Sequence, residues 1–412
     1  MGDLDIAVAG CGIAGLAAGL LLHRSGHGVT LYERFTVPQP LGSGLMIQPS
    51  GLAVLTRLGL DAEIATCSAP IGRIHGRNTL GETVLDVRYA DLGVPGACGL
   101  GIHRASLFGA LYDAVRAAGI VIRTGHEVTG SELVAGRRRL LFAATEPSPG
   151  HDLVIDALGV ASPLGSGPEG WLPFGALWTT LPWPRQGPFR RDWLEQRYER
   201  ASRMAGVLPT GHRRGSGDEL ALFWSLRADR LEEWRARGLE AWKRDVLALW
   251  PDCRELLSQV ADPSQLTFAR YAHRTRRTPS APRLVHVGDA WHAASPQLGQ
   301  GANMALLDAW AVASALNSDG TLATRLAQAA DLRRAHVRLY QSLTALFTPA
   351  YQSDSFWPAL IRDMVLAPLS RVPPGPRIQA RMVSGLAGDP LEPLGLALPD
   401  FRALAPAWAQ EV

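Results

Sequence analysis

Two textures of apolar patterning divide the chain. Toward the amino end the apolar residues come in short unbroken runs: Asp5–Ala9 and residues 28–33 read as buried strands, with a helix over 15–24 between them. A helix is predicted over 50–58, a hairpin over 73–87 turning near 78–81, and a strongly periodic helix over 104–118. A strand over 120–123, a hairpin over 132–145 and a buried strand over 153–158 follow. Residues 162–170, rich in Ser, Gly and Pro, read as a crossover. From 175 to 226 apolar and polar positions alternate and aromatics accumulate (Trp178, Trp183, Tyr198, Phe223, Trp224), as in an antiparallel sheet with one covered face. Residues 231–260 are mostly amphipathic helix, 284–288 a buried strand and Gly301–Leu316 a long helix. From Leu332 onward the pattern is helical, broken by Pro349, Pro358, Pro368, Pro373 and Pro374. The expected fold class is α/β: a domain built on a parallel sheet, interrupted by a mostly antiparallel domain, with a C-terminal helical segment.

The first strand–turn–helix–strand unit carries chemistry. Gly10-Cys11-Gly12-Ile13-Ala14-Gly15 is G-x-G-x-x-G, placed after a strand and opening a helix. Gly10 permits the tight turn, Gly12 lets the backbone approach a pyrophosphate, and Gly15 allows close helix–strand packing. The helix start offers unpaired N–H groups and positive dipole to phosphates. Glu33 closes the second strand and can accept from ribose hydroxyls, which disfavours a 2′-phosphate at this position. These features point to a dinucleotide and leave FAD and NAD both open.

Composition narrows the function classes. The 412 residues are 47% hydrophobic and 19% charged, with a formal net charge of +3 and only a short basic run at Arg137–Arg139, so no nucleic-acid partner is expected. Lys243 is the only lysine, leaving one candidate for lysine-dependent chemistry. Cys11, Cys67, Cys98 and Cys253 form no C-x-x-C pair and no metal-ligand spacing, so buried free thiols and no metal site are expected. The longest apolar run, 12–22, is too short to span a bilayer, and the acidic start lacks secretory character. A cytoplasmic protein without a transmembrane segment is the expectation.

Residues 283–308 decide between dinucleotides. Gly288, Asp289, Ala290, His292, Pro296, Gly299, Gly301, Asn303 and Asp308 reproduce G-D-A-x-H, then a proline, then G-x-G-x-N and a later Asp. This stretch resembles the second FAD fingerprint of class A flavoprotein monooxygenases, the para-hydroxybenzoate hydroxylase group. The resemblance, which runs from the N-terminus to about residue 320, implies FAD as cofactor. Asp289 would then accept from a ribityl hydroxyl, while Gly299, Gln300, Gly301, Ala302 and Asn303 set backbone N–H groups and a helix start against the flavin pyrimidine edge, stabilising the reduced anion. It also implies cofactor contacts for Gly10, Gly12, Ile13, Ala14, Gly15, Glu33, Arg34, Gly44, Gln48, Arg104 and Val128. The domains it implies are 1–72, 100–163 and 272–335 for a discontinuous Rossmann-like FAD-binding domain, 73–99 and 164–271 for the substrate domain, and 336–412 for the C-terminal segment.

By the same resemblance, FAD is reduced by NADH or NADPH and reacts with O2, and a C4a-hydroperoxyflavin transfers one oxygen to an aromatic or other electron-rich small molecule. The protein's task is to exclude water and align the substrate ring. Pro296, beside the flavin loop, is the strongest candidate near the chemistry; His75 and Trp224 are further candidates, with Trp178, Phe223, Arg73, Arg77 and His273 as possible pocket residues. The family's third fingerprint, D-x-x-x-x-A-D-G-x-x-S, is imperfect here. Asp152, Ala157, Gly159 and Ser162 match, but Leu158 stands where the Asp belongs, which puts nicotinamide use in question. A flavin oxidase, dehydrogenase or cyclising enzyme is therefore an alternative, as is a non-catalytic redox or partner-binding flavoprotein. A halogenase is disfavoured, because neither W-x-W-x-I-P nor an early lysine occurs. Substrate identity and oligomeric state stay open.

Overall fold

The computed structural model describes residues 3–39, 42–165 and 170–409. Its centre is a six-stranded sheet in the order Ser280–Ala281, Leu284–His286, Leu153–Asp156, Asp5–Ala9, Gly28–Tyr32, Val121–Arg123. All neighbours run parallel except the short edge strand Ser280–Ala281. The inner strands are buried on both sides, which is why they read as unbroken apolar runs. Helices Ile13–Arg24, Arg104–Ala117 and Gly301–Leu316 share one large apolar core with this sheet. The hairpin Val128–Val134/Arg137–Phe142 joins a smaller cluster with Ala7, Ala9 and Tyr32, on the opposite pleat from Ile6 and Val8.

A seven-stranded sheet follows, in the order Thr267–Ala272, Trp171–Pro182, Asp218–Arg227, Arg203–His212, Trp193–Glu199, Arg73–Asn78, Thr83–Arg88. It is antiparallel except where Trp193–Glu199 lies parallel to Arg73–Asn78. Period-two alternation gives it two apolar faces. Leu177, Val207, Leu222 and Trp224 face a helical layer carrying Trp242, Val246 and Trp250. Met204, Leu208, Ala221 and Phe223 face the rest of the molecule, with Met46 and Tyr89. A three-stranded sheet (Gly44–Ile47, Gly99–His103, Ser68–Ile71) is wedged between the two larger ones. The wedge is tight: a Cβ on Gly101 would lie 2.0 Å from the Pro209 carbonyl oxygen.

The helical readings are refined in three places. The helical stretch at 231–260 is three short helices (Leu231–Arg237, Leu239–Leu249, Arg254–Ser258), parted at Gly238, where φ is +78°, and at Pro251. Leu322–Tyr351 is one 30-residue helix that runs across position 336. Pro349 does not end it, because the helix runs on through Tyr351.

Candidate active site

The two glycine-rich turns meet. Gly10 has φ +100°, and a Cβ there would lie 2.8 Å from the Ala157 carbonyl oxygen. A Cβ on Gly15 would lie 1.9 Å from the Gly10 carbonyl oxygen, so both glycines are demanded by the protein itself. Gly12 differs: a Cβ would meet nothing within 4 Å, and the helix it caps has no side-chain cap. The N–H groups of that helix start therefore look into open space. Gly288, with φ +57°, approaches from the other fingerprint, and a Cβ on it would lie 3.5 Å from the Ala14 Cβ. Gly301 repeats the Gly12 pattern, with open space at its Cβ position and an uncapped helix start.

Asp289 and Arg104 interact across this cleft. Both are enveloped by protein, yet their side chains are exposed, as expected of walls of a deep recess. Burial raises the Asp289 carboxyl above the ordinary range despite His292, Arg104 and Arg274; burial lowers the Arg104 guanidinium, with Asp289 opposing. Pro296 opens the short turn Pro296–Leu298 and is exposed, ahead of Gly299 in a left-handed conformation at φ +62°.

Asn303 is fully buried and braces this loop: its side chain accepts from the Gln48 N–H at 2.8 Å and donates to the Met46 and Gly299 carbonyls at 3.1 and 2.9 Å. Gln48 accepts from the Tyr89 hydroxyl at 2.5 Å. Gln300 turns its amide away from the cleft to the Val383 carbonyl at 2.6 Å, so only its backbone can serve a ligand. Glu33 accepts from the Cys11 and Phe35 N–H groups at 3.0 and 3.1 Å, tying the end of the second strand to the glycine turn. Arg34 is exposed and lies over the Phe35 ring at 4.6 Å. Gly44 is required by packing: a Cβ would come within 2.5 Å of Thr210 and 2.8 Å of Ala221. The Val128 side chain belongs to the core beside Tyr32. Ile13 and Ala14 pack against the main core.

Two predicted pocket residues lie elsewhere. Trp224 belongs to the helix-covered face of the antiparallel sheet, with Trp242 and Val246. Its neighbour Phe223 takes the opposite face, where its ring meets Trp178 at 4.6 Å. Adjacent strand residues cannot share a face, so only one of the pair could reach the cleft. His75 is buried, bonded to the Thr83 hydroxyl at 3.2 Å and packed edge-on against Trp193 at 5.4 Å. Desolvation, with Arg73 and Arg77, lowers it to about 4, and it is a neutral structural histidine. Arg73 is engaged by Asp86 at 2.6 Å.

Two other polar groups, Tyr271 and Asp156, do not stand out in the sequence. Tyr271 is half-buried, and its oxygen accepts from the Trp178 indole at 3.0 Å. Burial pushes the phenol well above its usual range, so it keeps its proton. Asp156, fully buried, accepts from the Ser162 hydroxyl at 2.6 Å and the Leu158 N–H at 3.1 Å, and pairs with His286 at 2.5 Å. A carboxylate thus organises the third fingerprint from two positions before Leu158. Asp308 accepts from the Gly288 N–H at 2.9 Å and holds His292 at 2.5 Å and Arg333 at 2.9 Å. Burial works against its ionised form, yet these partners hold the carboxyl below the ordinary range. Among the described residues no group of three metal-ligating side chains occurs, and no helix is long and apolar enough to cross a membrane.

A parallel sheet whose phosphate-type turn and second glycine turn open on one recess, faced by an antiparallel sheet, defines a flavoprotein oxidoreductase. The comparisons agree. Residues 3–135 and 185–338 match the family described as FAD binding domain. The chain is 28% identical over 340 residues to 6-hydroxynicotinate 3-monooxygenase of Pseudomonas fluorescens, covering 76% of this chain and 83% of that protein. It is 28% identical over 333 residues to a 3-amino-4-hydroxybenzoate 2-monooxygenase of Streptomyces platensis, covering 76% and 79%. The structure of Klebsiella pneumoniae HpxO complexed with FAD and uric acid superposes with a TM-score of 0.77 at 19% identity, over 93% of this chain and 97% of that one. The chain belongs to the FAD-binding domain family. It is an FAD-dependent monooxygenase.

Proposed function

We propose that this enzyme hydroxylates a small, planar, electron-rich aromatic or N-heteroaromatic compound that already carries a ring hydroxyl. The observation that carries this reading is the aromatic wall of Trp178 and Phe223, with the protonated Tyr271 hydroxyl beside it, on the sheet face that looks toward Met46 and the Gly299 loop. Ser43, just before the strand that carries Met46, is tied to the strand of Trp178 through a 2.8 Å contact with Thr180. The two relatives above act, by their names, on a hydroxylated pyridine and a hydroxylated benzoate.

The recess fits FAD. The open backbone at Gly12 suits its pyrophosphate, Glu33 and Arg34 its adenosine, Arg104 and Asp289 its phosphate and ribityl chain, and the backbone of 299–302 the pyrimidine edge of its ring. When bound, FAD supplies the activation of O2, with electrons from a reduced nicotinamide. The remaining work falls to the chain. The Gly301–Leu316 helix start sets positive potential at the loop. Pro296 fixes the backbone entering that loop and Asn303 holds its exit. Trp178 and Phe223 stack the substrate and exclude water, and Tyr271 donates to the substrate's ring oxygen.

The test is turnover of hydroxybenzoates and hydroxypyridines with NADH or NADPH under labelled O2. A hydroxylated product carrying one labelled oxygen is expected. Consumption of substrate with no label in the product would overturn the reading in favour of an oxidase or dehydrogenase.

A further inference from the structure

One helical run in the molecule is inside out. Residues 356–369 form a continuous run, with a wider turn at Arg362–Leu366. A surface helix normally turns its charges to water and its apolar stripe to the core. Here Arg362 points inward and is 1% exposed. It donates to the Ala350 carbonyl at 2.9 Å, pairs with Asp363 at 2.6 Å, and lies over the rings of Tyr198 and Tyr351. The other inward residues are the small Ala359 and Ala367. The outward residues are Trp357, Ile361, Val365 and Leu369, spaced four apart, with Met364 beside them, between 49% and 68% exposed. Phe356, Val372 and Ile378 extend the same exposed apolar stretch. Together these side chains expose on the order of 1,000 Å² of apolar surface within one short stretch of chain, and exposed apolar surface on that scale marks an interaction site.

The orientation is not accidental, since the arginine anchor determines which side faces out. The charge around the patch shows what it fits. The segment 355–380 contains one carboxylate, Asp363, which turns to Arg362 and Asn78. The exposed ionisable residues of the segment are Arg371 and Arg377, and Arg200 lies 6.0 Å over the Phe356 ring. The adjacent Asp354 is taken by Arg227. Glu82, held by Asn78 beside Asp363, is the exposed carboxylate next to the segment, so pairing this face with a second copy of itself would bring together more arginines than carboxylates. An apolar stripe bearing Trp and Phe, around which the exposed arginines Arg200, Arg371 and Arg377 outnumber the exposed carboxylate Glu82, matches the interface of an anionic phospholipid bilayer, with the helix lying in the plane of the headgroups.

We propose that residues 356–378 dock this enzyme on anionic membrane surfaces without spanning them. This goes beyond the hydroxylase reading and does not depend on it. The test is co-sedimentation of the flavin-loaded enzyme with phosphatidylcholine vesicles, with and without phosphatidylglycerol, alongside light scattering of the protein alone. Wild type is expected to sediment with the anionic vesicles, and high salt weakens this. W357S/L369S is expected to lower binding at least about tenfold, from the loss of two large apolar side chains, while flavin content and melting temperature hold. R371Q/R377Q is expected to lose the preference for anionic over neutral lipid. Failure of wild type to sediment with either vesicle would overturn the proposal. So would a wild-type dimer that W357S/L369S converts to monomer, which would make the patch a subunit contact.

Discussion

The carboxylate of Asp308 and the guanidinium of Arg333 meet 2.9 Å apart with neither side chain more than 1% exposed. The pair joins the helix that begins at the flavin loop to the long helix after it, and His336 extends it from Arg333 to the Gly385 carbonyl at 3.0 and 3.1 Å. Removing Arg333 takes the permanent cation from the buried Asp308 carboxylate and leaves it only His292 and the Gly288 N–H. R333M is therefore expected to cost about 3–5 kcal/mol in urea unfolding. D308N/R333M is expected to cost clearly less than the sum of its single substitutions. Additive losses would show that the two side chains are not coupled.

Gly12 and Gly15 separate ligand binding from folding. G15A drives a methyl group into the Gly10 carbonyl and is expected to abolish soluble folded protein. G12A meets no protein atom, so its melting temperature without flavin should stay near that of wild type. Its flavin absorbance after purification is expected to fall at least about tenfold, because the methyl group occupies the phosphate cradle. A yellow G12A protein would contradict this placement of the pyrophosphate.

The alternation in the antiparallel sheet makes a paired prediction. W178F and Y271F are expected to lower kcat/KM by about 1–3 kcal/mol through lost substrate contacts. W224F is expected to lower stability while leaving kcat/KM within about twofold, since its ring packs under the helical layer. If W224F proves the more damaging to turnover, the two faces have been assigned the wrong way round.

Acid should destabilise the fold through two histidines. Burial, with Arg333, depresses His336 to about 2, and His75 stands at about 4, against 6.5 when unfolded. The unfolded chain therefore binds protons that the folded chain refuses, so stability is full above pH 6.5 and falls below it. The loss is about 1.4 kcal/mol per pH unit for each histidine; His75 stops contributing near pH 4 and His336 continues lower. Urea midpoints between pH 7.5 and 4.5 should show this slope, and H75Q should reduce it.

Much of this was legible in the sequence because local chemistry fixed it. The glycine turn at 10–15, the strands beside it and the start of the helix at Gly301 need particular backbone shapes that few residues supply. Roles that depend on which side of an element meets the cleft were not legible. Phe223 and Trp224 are equally aromatic, and only the packing of a helix containing Trp242 decides between them. Asp156 escaped notice because a carboxylate at a strand end reads as an ordinary cap, whereas its partners Ser162 and His286 come from different segments. Arg362 was hidden for a similar reason: an arginine in an apolar helix reads as the solvent side, and here the rings of Tyr198 and Tyr351 draw it inward.

The bond from Gln300 to the Val383 carbonyl has a consequence for biosynthesis. Val383 lies 83 positions later in the chain, and a Cβ on Gly385 would strike Ser50 and Gln300, so those segments interlock. On the ribosome, the loop at 296–303 emerges long before its brace exists. Nascent chains stopped ahead of Val383 would carry both glycine turns yet leave the second one unsupported. With the cofactor placed as proposed, capture of the yellow prosthetic group is expected late in the protein's life, and a prematurely terminated product should be pale even where its first domain is folded.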